Sequence, residues 1–315
     1  RALLSRWVLL IMLLFFEQCL NGLQLGITLF LMSAGLTLVF GIMQVINLAH
    51  GSFYMIGAYV GATVASNSGS FLLGIAAALF AAALTGMIVE GIVLRRLYHR
   101  DHLDQVLATC GLIMFFNELT RIVWGRQPLF MDVPPWLNYG VNLLPGLTYP
   151  AYRLAIIVVG LSVALFLWLL FSKTRIGMQI RAGAVNREMV AALGVNNSLL
   201  NTVVFGLGTL LAGLAGVMAG PILAVESGMG ESILILTFVV IVIGGIGSIR
   251  GALAGAILVG MVDTLGRAFL PKLFHIVFHS TNADAVAASL SSMAIYILMA
   301  VILVWKPKGL FPAHS

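Results

Sequence analysis

The sequence predicts an all-α fold, a polytopic transmembrane helical bundle of about 8–10 spans with cytoplasmic N and C termini. Three observations lead there. Of 315 residues, 61% are apolar and 9% charged, whereas a soluble domain carries roughly 25% charged residues. The mean hydropathy is +1.07, and the apolar residues run the whole length, so one soluble domain with an anchor does not fit. Finally, apolar blocks recur at about the 20 residues needed to cross a ~30 Å hydrocarbon core.

The first block follows Arg1 and spans 3–20. Ala2 to Phe16 is not followed by a small-x-small cleavage site, so it reads as a retained span. Between Glu17 and Glu90 there is no Asp, Glu, Lys or Arg, which leaves room for about three crossings. The breaks inside that interval are Asn47-Leu-Ala-His50-Gly51-Ser52 and Ser66-Asn-Ser-Gly-Ser70. The piece between them, 50–66, is short, and a re-entrant course there changes the count. Further blocks cover 106–124, 151–172, 201–225, 232–248, 251–270 and 286–304, giving about ten spans in one transmembrane domain over 1–315.

The net charge of +6 does not point to nucleic acid, because the 17 Lys and Arg residues are dispersed through short loops, where they set topology instead. With ten spans and the N terminus inside, Arg1 and Arg6, Arg95, Arg96 and Arg100, Lys173, Arg175, Arg181 and Arg187, and Lys306 and Lys308 all fall inside. Glu226, Glu231 and the 125–150 loop with Asp132 and Trp136 fall outside. Shifting the chain by 200 residues aligns Leu36-Thr37-x-Val39 with Leu236-Thr237-x-Val239, Ile46 with Ile246 and Gly51 with Gly251. A parallel internal repeat of the kind found in transporters would produce this.

Small residues recur at four-residue spacing: Gly22 and Gly26, Gly57 and Gly61, Ala212, Gly216 and Gly220, and Gly247, Gly251 and Gly255. Such spacing lets helix backbones approach closely in lipid. Gly244-Gly-Ile-Gly-Ser-Ile-Arg-Gly251 has the wrong second spacing for a dinucleotide fingerprint, and no Gly-x-x-x-x-Gly-Lys-Ser/Thr occurs. Any ATP must therefore be held by a partner. Metalloprotease and serine-hydrolase motifs are missing too, and Cys19 and Cys110 lie in apolar segments that imply neither metal nor disulfide. The chain is read as a non-enzyme without a metal or other cofactor of its own.

Ionisable groups inside a span need a partner or a task. Glu118 with Arg121 and Asp263 with Arg267 are spaced to neutralise one another on one helix face. Glu90 and His50 fall near predicted cytoplasmic ends, where solvation suffices, with His50 also a candidate gate. The helix breaks make Asn47, His50, Gly51, Gly244, Gly245, Gly247 and Gly251 the candidate pathway or gate residues, since broken helices expose backbone groups to a passage.

The loop over 173–200 is the most informative polar stretch. Basic residues lead into a short helical run from Asn186, a capping residue, to Leu193, with Gly194 placed to end it. Met189, Val190 and Leu193 form an apolar stripe. So short a helix is marginal alone, and its stripe needs either the headgroup region or another protein.

At four places the chain resembles the permeases of ABC importers for branched-chain amino acids, in the larger group with sugar and urea permeases. These are Asn21-Gly22 with Gly35-Leu-Thr-Leu-Val-Phe-Gly41; Val45-Ile-Asn-Leu-Ala-His-Gly51 with Gly57-Ala58; Thr174-Arg175-x-Gly177 with Arg181-Ala182, Glu188, Ala191 and Gly194; and Gly244-Gly-Ile-Gly-Ser248 with Gly251. The resemblance spans about 20–310. It implies a multi-pass protein of the bacterial inner membrane that pairs with a second, homologous permease. Two cytoplasmic ATPase subunits, which hold the ATP and Mg, and a periplasmic substrate-binding protein would complete the importer. It also implies that the loop carries a coupling helix docking into an ATPase groove, with Arg175, Arg181, Asn186, Arg187, Glu188, Ala191 and Gly194 as the coupling residues. Urea-type relatives tend to carry an acidic residue after His-Gly. Here Ser52 and Phe53 follow, which leans toward amino acids. The alternatives are a urea or short-chain amide permease of the same group, a passive channel, or an ion-coupled carrier using Glu90, Glu118 or Asp263.

Overall fold

A computed structural model describes residues 2–43, 45, 47–98, 100–278 and 283–312. The side chains of residues 2–11, 187, 275–278 and 283–285 lie outside that description, as do the whole of Arg1 and Ile46. The chain forms α1 (Ala2–Met43), α2 (His50–Ser68), α3 (Phe71–Val89), a π-turn (Glu90–Leu94) leading into α4 (Arg95–Leu97), and α5 (His102–Trp124). A hairpin of β1 (Gly140–Leu144) and β2 (Leu147–Pro150) comes next, then α6 (Ala151–Lys173), α7 (Arg175–Val185) and α8 (Arg187–Ala192). The chain ends with α9 (Asn197–Ala219), α10 (Met229–Gly244), α11 (Ile249–Phe278) and α12 (Ala283–Trp305). Among the described residues seven helices are long and apolar enough to cross a membrane: α1, α3 with its extension, α5, α6, α9, α11 and α12. The polytopic helical bundle is thus observed.

The two spans expected before residue 45 are one unbroken helix. α1 has 42 residues and is about 63 Å long. The polar residues at the expected break are compatible with a helix, and Asn21 is satisfied sideways by Tyr149 and Arg153. Leu13 packs against Gly146 in the hairpin turn. The start of α1 therefore lies on the hairpin face, opposite α7 and α8, and not with them as the charge pattern predicts. The C-terminal tail does share the α8 face. Leu310 and Phe311 donate to the Ile243 and Gly244 carbonyls at the end of α10, both at 2.9 Å.

α1 and α9 form the buried centre, while α5, α6 and α12 turn mostly apolar side chains such as Met114, Ile122, Val158 and Val304 outward. Helices approach one another through glycine. A Cβ on Gly26 would stand 2.8 Å from the Ala256 carbonyl oxygen, and one on Gly208 2.8 Å from that of Gly35. Gly57 faces Gly213 and Gly244 faces Gly251 in the same way. The glycine spacing seen in the sequence is thus a packing device.

Two helices begin inside the bundle. A Cβ on Gly35 would lie 3.0 Å from the His50 ring, so α2 starts level with Gly35, about 12 Å short of the end of α1. α10, with 16 residues, starts where Gly230 meets Gly51, each so close to the other's backbone that neither site has room for a side chain. The expected continuation of α9 to residue 225 stops at Ala219, because Gly220-Pro221 turns the chain. Val225 then pairs with Leu129 through two 2.9 Å hydrogen bonds, and this strip leads back inward to α10.

Gly51→Ala and Gly230→Ala each push a methyl into facing backbone and are expected to destabilise by about 1–3 kcal/mol. Gly111→Ala on α5, with nothing within 4 Å, should be neutral or stabilising by about 1 kcal/mol. Thermal unfolding of the purified protein in detergent checks both, and a Gly51→Ala variant as stable as the original would remove the backbone contact.

Candidate functional site

The first candidate site is the segment from α7 to α9. The Thr174 hydroxyl donates to the Leu170 carbonyl at 2.6 Å and accepts from the Gly177 N–H at 3.1 Å, which turns the chain out of α6 into α7. Gly177 packs on the Leu170 and Phe171 backbone, where a side chain has no room. Arg181 donates to the Phe171 carbonyl, so it caps the end of α6, as a cation near a helix C terminus does. Arg175 is exposed. The Arg187 side chain lies outside the described residues.

Asn186 caps α8, its side-chain oxygen accepting from the Met189 N–H at 3.0 Å. Glu188 sits exposed in the first turn, where a negative charge suits the helix dipole. The expected stripe of three apolar residues is split. Val190 turns inward at 4% exposure, whereas Met189 and Leu193 project outward at 61% and 78%. Exposed Ala191 and Ala192 leave the outer surface of α8 low. Gly194 ends the helix with φ at +85° and open space around it, so its requirement is conformational and not steric.

The second candidate site, the helix breaks, is divided. Gly51 lies inside the bundle against Gly230, while Gly247 lies against Gly41 near the end of α1. Gly244 and Gly245 are buried on the α8 face beneath the C-terminal tail, with Gly309 packed on Gly245. The two breaks thus lie at opposite ends of α10, about 24 Å apart along its axis, and do not form one site. Asn47 accepts from the Ala49 N–H at 3.1 Å and makes the bend before α2. His50 is fully buried and not solvated as the sequence predicts. Neither of its ring nitrogens, nor Asn47 Nδ2 or Thr37 Oγ1, has a partner of hydrogen-bond geometry among the described residues.

Sequence reasoning missed a recess where α2, α5 and α10 meet, lined by Ser52, Met55, Ile113, Asn117, Gly230 and Glu231. Asn117 donates to the Glu231 carboxylate at 2.5 Å, and the Ser227 hydroxyl donates to the Asn117 carbonyl at 3.3 Å. The sequence marks Gly51, Ser52 and Glu231 separately, and the polar Asn117 inside an apolar block is the signal that could have joined them. The two self-pairings expected within spans are present, Arg121 to Glu118 at 2.6 Å and Arg267 to Asp263 at 2.8 Å.

A helical bundle with seven candidate membrane spans, helices broken inside it and ionisable groups paired away has the build of a membrane permease. Residues 18–303 match the family described as the branched-chain amino acid transport system permease component, and the chain belongs to it. The high-affinity branched-chain amino acid transport system permease protein BraD of Pseudomonas aeruginosa is 27% identical over 94% of this chain and 95% of its own. LivH of Escherichia coli K12, bearing the same description, is 28% identical over 81% and 87%. The ribose import permease protein RbsC of Escherichia coli K12 is 26% identical over 74% and 72%. No solved structure matches.

Removing the cap in Asn186→Ala should cost about 1 kcal/mol, and forcing a side chain to positive φ in Gly194→Ala about 1–2 kcal/mol. Hydrogen exchange by mass spectrometry should show faster exchange across 187–195 in both variants with α9 unchanged. Unaltered protection of α8 would mean that neither residue holds it.

Proposed function

We propose that this chain is the transmembrane permease of an ATP-driven importer for branched-chain amino acids, located in the bacterial inner membrane. It forms half of the pathway with a second, homologous permease. Two ATPase subunits, which carry the ATP and Mg, drive the cycle, and a periplasmic binding protein delivers the substrate. The observation that carries this reading is α8: a short, capped helix between α7 and the central α9, presenting exposed Met189 and Leu193 beside Glu188. An exposed apolar pair with one charge suits a protein groove, as an amphipathic helix laid in a groove does. ATPase closure would push α8 and, through it, α9.

On this reading the α8 face is cytoplasmic. The C-terminal tail is then inside, and the start of α1 outside with the hairpin. An ion-coupled carrier is the weaker account, because Glu118 and Asp263 are already neutralised by Arg121 and Arg267. The likeness to BraD and LivH, both high-affinity branched-chain amino acid permeases, favours leucine, isoleucine and valine over urea or short amides.

In the reconstituted importer, Glu188→Lys combined with Leu193→Glu should leave the protein inserted while leucine uptake falls by about tenfold or more, the scale of losing one interfacial anchor. Met189→Cys should crosslink to the ATPase subunit. Full uptake in the double variant, or no such crosslink in an active complex, would reject the assignment of α8. Binding of leucine, isoleucine, valine and urea by the cognate periplasmic receptor identifies the ligand.

A further inference from the structure

Glu90, expected from the sequence to be solvated, is 0% exposed. It opens the π-turn Glu90–Leu94 at the end of α3. In an α-helix, residues five apart are rotated by about 140° and cannot meet. Here the Arg95 N–H bonds to the Glu90 carbonyl in the wider π-turn, which brings the two side chains together. The Arg95 guanidinium donates to both carboxylate oxygens, at 3.4 and 3.0 Å. Tyr98 donates its hydroxyl to Oε1 at 2.6 Å. From the other side Thr202, on the second turn of α9, lies with its hydroxyl 2.7 Å from Oε2 and accepts from Arg95 at 2.8 Å. A buried carboxylate thus holds together the end of α3 and the start of α9. π-turns inside helices are concentrated at functional positions.

The place of this clasp matters. α8 ends at Ala192, and only 193–196 separate it from α9, whose first turn is capped by Asn196. Thr202 therefore stands about one turn beyond the point where a displacement of α8 enters the bundle. Beside the packing of buried Leu200, Asn201 and Val204, the clasp adds a polar tie from the second turn of α9 to the end of α3. With it, α9 and the end of α3 move as one body, and α9 packs through glycine on α1, α2 and α3 alike.

We propose that Glu90 is a positioning residue for energy coupling: by fastening Thr202 to the end of α3 it converts the stroke of α8 into a rigid displacement of α9. This rests on the coupling role proposed for α8. Arg95 is 45% exposed, so Glu90→Gln leaves it a route to water and strands no buried charge, and Thr202→Val removes the hydroxyl while keeping the shape.

The test is the importer reconstituted in liposomes with its second permease, ATPases and binding protein, measuring leucine uptake and ATP hydrolysis together. Glu90→Gln and Thr202→Val should each hydrolyse ATP within about twofold of the unaltered complex, while leucine carried per ATP falls about tenfold, the upper range for residues along a coupling route. Tyr98→Phe should lower the ratio by about twofold to threefold. An unchanged ratio in both main variants, or uptake and hydrolysis falling in parallel as fewer complexes assemble, would overturn the proposal and leave Glu90 a structural anchor. If the unaltered complex showed no ATP-dependent leucine uptake, the function proposed above would fail instead, before any variant was compared.

Discussion

Contact of backbone with backbone at paired small residues is the constraint on which this structure depends. Lipid offers helices no hydrophobic reason to associate, so they hold together by van der Waals contact over surfaces without side chains in the way. Gly26 on Ala256, Gly35 on Gly208, Gly57 on Gly213 and Gly244 on Gly251 bring α1, α2, α9, α10 and α11 into this range. The same device lets α2 and α10 begin inside the bundle. Their first turns meet at Gly51 and Gly230, and a side chain at either would separate them. The recess beside that junction, with Ser52, Asn117 and Glu231, owes its position to this contact.

Much of the fold was legible in the sequence because lipid enforces it. The blocks at 106–124, 151–172, 251–270 and 286–304 fall within α5, α6, α11 and α12, since an apolar stretch of that length has few other uses. The cap at Asn186 and the stop at Gly194 were legible because local chemistry sets them. What escaped is decided between distant segments. No local signal says that α1 continues through residue 20, because Asn21 finds Tyr149 and Arg153 more than a hundred residues away. Charge groups the start of α1 with α7 and α8, whereas Leu13 packs against Gly146 in the hairpin.

The polar residues show the same division. Pairs three or four residues apart, Glu118 with Arg121 and Asp263 with Arg267, were readable because a regular helix fixes their geometry. Glu90 and Arg95, five apart, were not, because only a π-turn brings them together. His50 departs from the sequence expectation for a related reason: α2 starts inside the bundle, so a residue near a chain break is buried. The stripe on α8 was half right, with Val190 needed by the bundle and Met189 and Leu193 left outward.

The pairing of α1 also sets the order of events during biosynthesis. Its glycines meet partners on α9 and α11, which the ribosome adds about 170 to 240 residues later. At roughly 5–20 residues per second, the inserted helix waits on the order of ten seconds or more with those surfaces facing lipid or the insertion machinery. Among the described residues α1 is thus one of the most buried helices, yet it completes its contacts only after α9 and α11 have been made.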